Sequence, residues 1–239
     1  MLLHDARRLW RADRGVLLAI AGPFLFLPAL AVNLLLFPAL DRATAGIAPD
    51  NGPAQLQAFS AWAEASMPWM LAAQVLIQFG GLTTLLFYLD RDRLTVGGAM
   101  RRALRGLPIY LLAMVLVSIF SMAGLLLLVV GVFYLLARLS MVGPVIAAER
   151  EANPLAAIAR SFALTRGSGI VLTGIFLLAY GATFFAQAPF GQIREWIVVH
   201  SPNPITATAV GAVTAALSAA CMLALLLVQV AAYRRFTAR

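Results

Sequence analysis

The residues able to do chemistry in this chain are few, and their spacing matches no catalytic arrangement. There are two histidines, one cysteine and ten carboxylates in 239 residues. No H-E-x-x-H, G-x-S-x-G or G-x-x-x-x-G-K-[ST] run occurs, so the zinc-protease, serine-hydrolase and P-loop chemistries lack their motifs. His4 and His200 fall on predicted opposite sides of a membrane, and every carboxylate lies in a loop or interface. The predicted core therefore holds no acid pair for general acid–base work and no acid chain for proton coupling. Cys221 stands alone, which excludes a disulfide framework or a Cys-type metal site within one chain. The reading is no enzyme, no cofactor and no metal.

One residue remains that is chemically out of place. Arg138 is the only charge between Leu107 and Ala148. A guanidinium in hydrocarbon costs at least about 2.5 to 3.5 kcal/mol unless a partner or water meets it. Counted from the outer end of its predicted span, Arg138 is roughly 10 Å deep. The polar residues Gln74, Gln78, Ser118 and Ser121 fall in the same predicted outer half. Together they outline a binding site for an anion or a lipid headgroup, since a planar guanidinium fork suits phosphate. The alternative is structural: Arg138 donates to backbone carbonyls or snorkels, and the glutamines join helices by hydrogen bonds.

The elements that position these residues are membrane helices. The chain is 62% hydrophobic and only 12% charged, whereas soluble domains carry about a quarter charged residues. Gly15 to Phe37 is uncharged for 23 residues, about 34 Å of helix. This first span reads as a retained signal anchor, too long for the apolar core of a cleaved leader. Further spans are predicted over 68–89, 107–129, 131–148, 169–187 and 205–232. The 42 residues from Leu107 to Ala148 must fold back on themselves, with Gly124 and Gly131 as candidate turns and Val130-Gly131 preferred. The expected fold is all-α: one transmembrane domain, residues 1–239, six helices in three hairpins.

Two amphipathic segments complete the plan. Leu56, Phe59, Ala63 and Met67 share one face of a short helix expected on the outer surface. Asn153 caps a second helix with Pro154 in its first turn, where Leu155, Ile158, Ala159 and Phe162 form an apolar stripe and Arg160 and Arg166 a basic flank. That helix is expected to lie in the inner interface.

Charge sets the orientation. All 18 basic residues are arginine; fifteen fall on segments predicted inside, only Arg42 and Arg194 on those outside, and Arg138 within a span. The bias places both termini in the cytoplasm. Trp10, Trp62, Trp69 and Trp196 all fall at predicted boundaries, as an aromatic belt requires. The pI near 11 is met by anionic headgroups beside the spans, so nucleic acid is not an expected partner.

A string of residues around Arg138 carries a resemblance. It runs Ala137-Arg138-Leu139-Ser140, Val142-Gly143-Pro144-Val145 and Glu149, then Ala157-Ile158-Ala159-Arg160-Ser161-Phe162-Ala163-Leu164-Thr165-Arg166-Gly167. It resembles the glycerophosphoryl diester phosphodiesterase membrane-domain family and the related YciC-like multi-pass proteins. Such a resemblance implies an inner-membrane protein tied to lipid or envelope biology; the phosphodiesterase domain that names the family is not in this sequence. Phospholipids are the expected partners, with other membrane proteins or further copies of the chain beside them. Two other readings stay open: a small transporter or permease component, and a structural scaffold.

Overall fold

In the computed structural model, residues 2–48, 50–90, 92, 94–124, 128–200 and 204–238 are described. They form eight helices: α1 (Leu2–Thr44), α2 (Gly52–Leu89), α3 (Val96–Ala123), α4 (Leu128–Leu139), α5 (Val142–Glu149), α6 (Pro154–Leu164), α7 (Gly169–His200) and α8 (Pro204–Thr237). Six stretches are long and apolar enough to cross a bilayer, with α4 and α5 together supplying one over Gly131–Glu149. No strand occurs among the described residues.

The prolines of α1 widen the helix rather than break it. Pro28 and Pro38 have no N–H to donate, and the residues before them, Leu27 and Phe37, bond five residues back to the carbonyls of Gly22 and Val32. The two turns become π-type, which absorbs the crowding a proline imposes on the preceding turn. A true interruption lies at Asp13, whose φ of −124° and ψ of 25° separate an N-terminal amphipathic segment from the membrane-crossing part.

Several helices run further than their apolar stretches. The segment expected as a separate outer helix is instead continuous with the second span: α2 starts at the Asn51 cap, whose side chain accepts from Ala54 N–H at 3.2 Å, and passes through Pro68. Trp62 of this extension donates to the Leu36 carbonyl at 3.0 Å, tying it to the end of α1. Similarly α7 passes through Pro189 to His200, where a loop from residue 189 was expected. A proline inside a helix removes one hydrogen bond and can bend the axis without ending it, so proline marked these boundaries falsely.

The fold-back between the third and fourth spans also differs. Val130 and Gly131 are inside α4, and residues 125–127, between Gly124 and α4, lie outside the described residues. Gly124 is what the hairpin needs. A Cβ built there would stand 2.8 Å from the Val132 backbone nitrogen and 2.9 Å from the Gly131 carbonyl carbon. The two helices touch backbone to backbone, as small residues in membrane bundles permit.

Within the bundle α8 packs against α1, α7 and α2, α4 against α7, and α2 against α3. The shared core includes Leu17, Leu82, Leu85, Met141, Val145 and Val230, all essentially inaccessible. The chain breaks at Ser140–Met141, and α6 then folds back along α5. Its buried face is Ala157, Ile158 and Ser161, continued by Thr165 after the helix; of the predicted stripe Ile158 is buried and Phe162 packs against the core, while Ala159 is exposed and Leu155 is 58% exposed. Small side chains let α6 pack closely beside Ile158, and of the larger apolar residues Leu155 points away from the bundle.

Gly124→Ala should therefore overpack a rigid backbone contact. The expected loss is about 1–3 kcal/mol, read as a lowered Tm in detergent, while Gly15→Ala, which meets nothing within 4 Å, should leave Tm unchanged.

Candidate functional site

Both termini lie at one end of the bundle, because Arg235 near the C-terminus pairs with Asp5 at 2.7 Å. The same end is built from the ends of α2, α5 and α8 and the start of α3. Asp90, which follows α2, has a fully buried carboxylate contacted by Arg102 of α3 and by Arg150 just after α5, the latter at 3.3 Å. Asp92 bridges the same two arginines, at 3.1 Å and 2.7 Å. Arg150 reaches them from a left-handed backbone conformation, φ 56° and ψ 35°, that non-glycine residues adopt only where surrounding contacts hold them there.

Burial alone would push the Asp90 carboxyl up. The Asp92 backbone N–H and the guanidinium groups of Arg102 and Arg150 outweigh it and hold the carboxyl below its ordinary range. Glu149 forms a second node, accepting from Arg160 at 3.2 Å and from the Tyr233 hydroxyl at 2.9 Å. Tyr88 donates to Asp13 at 3.0 Å, and Arg234 donates to the Tyr88 carbonyl at 2.7 Å. These bonds join α1, α2, α3, α5, α6 and α8.

Arg138 belongs to this end too. Gly169 packs against its Cδ, and neighbouring Ser168 lines a groove with Leu2, Leu3 and Arg235. Its guanidinium lies 5.1 Å from the Phe162 ring centroid, and its carbonyl accepts from Ser161 Oγ at 2.7 Å. The outer-half position read from sequence is therefore corrected. The helix begins at Leu128, earlier than the predicted span, and the returning α6 and the start of α7 bring the neighbours of Arg138 from the other end.

The predicted lining does not assemble around it. Among the described residues Arg138 has no hydrogen bond to Gln74, Gln78, Ser118 or Ser121, and its Nε is buried without a partner. Gln74 is exposed and Gln78 half-buried on α2. Ser118 donates to the Met114 carbonyl of its own helix at 2.9 Å, and the Ser121 hydroxyl is buried without a partner. Of the interfacial pair, Arg160 is committed to Glu149, while Arg166 is exposed. The described residues contain no group of three His, Cys, Asp or Glu that would hold a metal.

What this end can do chemically is meet anions. Arg7, Arg8, Arg11, Arg14, Arg101, Arg105 and Arg166 have no ion pair among the described residues, whereas Asp5, Asp90, Asp92 and Glu149 are all engaged. At the opposite end Arg194 pairs with Asp41 and Arg42 donates to the Pro38 carbonyl at 3.1 Å. The surplus positive charge is thus confined to one end. Sequence reading missed the clamp, although Asp90-x-Asp92 directly after an apolar run and beside five arginines is its signature.

Fold and charge distribution together define a multi-pass helical membrane protein. Compared with protein-family models, curated proteins and solved structures, the chain has no match in any of the three.

Asp90 makes a pH-dependent contribution of known sign. Its folded pKa lies below the unfolded value of about 3.9, so its stabilisation is full above that value and is lost as pH falls through the folded pKa. Asp90→Asn should cost about 1–3 kcal/mol near neutrality, the range for losing a hydrogen-bonded charge whose partners, Arg102 and Arg150, stay partly exposed and keep Asp92. It should also flatten the loss of Tm as pH falls below about 4; an equally steep acid limb in the variant contradicts the assignment.

Proposed function

We propose that the chain is a non-enzymatic domain of the bacterial inner membrane that gathers anionic phospholipid at its arginine-rich end, and that this end faces the cytoplasm. The observation that carries the reading is the one-sided excess of arginines left over after every nearby engaged acid is counted. Each arginine beside an anionic surface contributes about 1 kcal/mol, and several on one face act together. Arg138 then serves packing, its positive charge met by Phe162, and the headgroup site shifts from Arg138 to the exposed arginines around it. The resemblance over residues 137–167 to the glycerophosphoryl diester phosphodiesterase membrane-domain family belongs to the same reading, since that stretch includes the α5–α6 return that builds part of the basic end.

Orientation is tested by cysteine labelling in a Cys221→Ser background. Single cysteines at Ala152 and Ala238 should react only from the cytoplasmic side, and one at Gly46 only from outside; the reverse pattern removes the reading. Lipid preference is tested by native mass spectrometry of protein released from bilayers of equal parts phosphatidylglycerol and phosphatidylcholine. Retained lipid should be enriched in phosphatidylglycerol, and Arg101→Gln with Arg105→Gln should reduce the enrichment while Arg42→Gln does not. An unchanged ratio in the double variant would falsify the proposal.

A further inference from the structure

The N-terminal segment before Asp13 roofs an apolar groove between α1 and α8. The groove has a volume of about 500 Å³, within the roughly 300–1,000 Å³ of small-molecule sites. Leu18 and Phe26 of α1 form one wall, and Ala216, Ala220 and Ala224 form an exposed floor on α8. Arg7 and Trp10 stand at its terminal end. On α8 the lining runs from Ala216 to Val228, about 18 Å of helix against roughly 15 Å for one leaflet of a 30 Å core.

We infer that this groove holds one acyl chain of a single anionic phospholipid, its phosphate on Arg7 and its glycerol region beside Trp10. The inference rests on the lipid-gathering function proposed above and adds a specific place for one molecule. Three observations select this occupant. The groove is apolar along its length and opens on the flank of two spanning helices, where acyl chains are the surrounding solvent. Its depth along the bundle matches one leaflet. Its mouth is cationic without compensation: Arg7 has no ion pair among the described residues, while the acids of the same segment are taken, Asp5 by Arg235 and Asp13 by Tyr88. A tryptophan at that level suits the boundary, with an apolar ring and one N–H donor.

The adjacent face of α8 explains why the groove persists. Ala215 is fully buried and Ala219 nearly so, and Gly211 approaches Leu34 so closely that a Cβ would come within 3.0 Å. That face locks α8 onto α1. Ala216, Ala220 and Ala224 are one position further round and lack the bulk to close the gap beside the contact.

The test uses the full chain in bilayers of equal parts phosphatidylglycerol and phosphatidylcholine, with a trace of either lipid carrying a photoreactive group in its acyl chain. Crosslinks from the phosphatidylglycerol probe should map to residues 216–228 of α8 and 18–26 of α1. Ala220→Leu places bulk in open space, so the fold should survive, and crosslinking in the groove should fall about tenfold. Arg7→Gln should lower the preference of the groove for the phosphatidylglycerol probe about fivefold, as expected for one arginine facing a phosphate, with the phosphatidylcholine probe unaffected. Groove crosslinks that ignore Ala220→Leu, or equal labelling by both probes in the parent, overturn the inference. So does a dimer of the parent that Ala220→Leu converts to monomer, since the groove would then hold a second copy. The Arg101→Gln, Arg105→Gln variant separates the two claims: loss of overall phosphatidylglycerol enrichment there, with Ala220→Leu inert, leaves the general function standing and removes only the groove.

Discussion

A carboxylate with no exposed surface at the end of a membrane helix is unaffordable unless cations meet it. The Asp90 side chain is such a group, and the answer to it organises the basic end of the molecule. Arg102 is brought by the start of α3 and Arg150 by the end of α5, while Asp92 shares both. The consecutive helices α2 and α3 thereby meet the end of α5, which is distant in sequence, at one point. The cost falls on Arg150, held in a left-handed conformation to reach the acids, and the surrounding pairs keep it there. Once α5 is fixed, Glu149 is placed to receive Arg160 from α6 and Tyr233 from α8. The clamp therefore propagates to the C-terminus and, through Arg235 and Asp5, to the N-terminus.

Away from that end the bundle is held by proximity rather than charge. Lipid tails are as apolar as leucine, so helices in a bilayer gain little by hiding apolar surface from one another and associate where backbones can approach. Gly124 meets the Gly131 backbone in this way, and Gly80, Gly143 and Gly211 admit the side chains of Phe24, Leu85 and Leu34 close against their own backbone. The arrangement divides the labour: pairs of charges fix the helices at one end, and close contacts fix them through the interior.

The sequence was informative where the physics is local. Uncharged runs of helical length must span, so six crossings and three hairpins were legible, and Asn153-Pro154 read correctly as a helix start because its cap needs only its own neighbours. Boundaries set by proline were not legible: Pro68 and Pro189 pass through helices whose other hydrogen bonds suffice. The face of α6 was misread for a different reason. Leu155 outweighs Ala157 and Ser161 on any apolarity scale, but in a bundle close packing selects the small residues beside Ile158, and Leu155 is left exposed. Arg138 failed by depth, since α4 begins at Leu128, before the predicted span, and the side chains packed on Arg138 come from α6 and the start of α7. Its true neighbours, Ser161, Phe162 and Gly169, are more than twenty residues away in sequence and enter only with the fold.

Arginine pairing explains why charge at the two ends has different consequences. At the end away from the termini Arg194 meets Asp41 and stacks 5.3 Å from the Phe37 ring centroid, so its charge is used within the protein. At the terminal end the engaged acids go to arginines that bridge helices, and the remaining arginines lie on α1, α3 and the turn after α6, exposed at the rim. An acid added among them would compete for Arg102 or Arg150, which are partly exposed, and loosen the clamp. The two uses of arginine also differ in screening: the contacts to the buried Asp90 carboxylate are short and partly buried, so salt weakens them less, whereas the exposed arginines are screened within a Debye length of about 8 Å at physiological ionic strength. Structure and lipid attraction therefore draw on different arginines of one basic surface, and ionic strength distinguishes them.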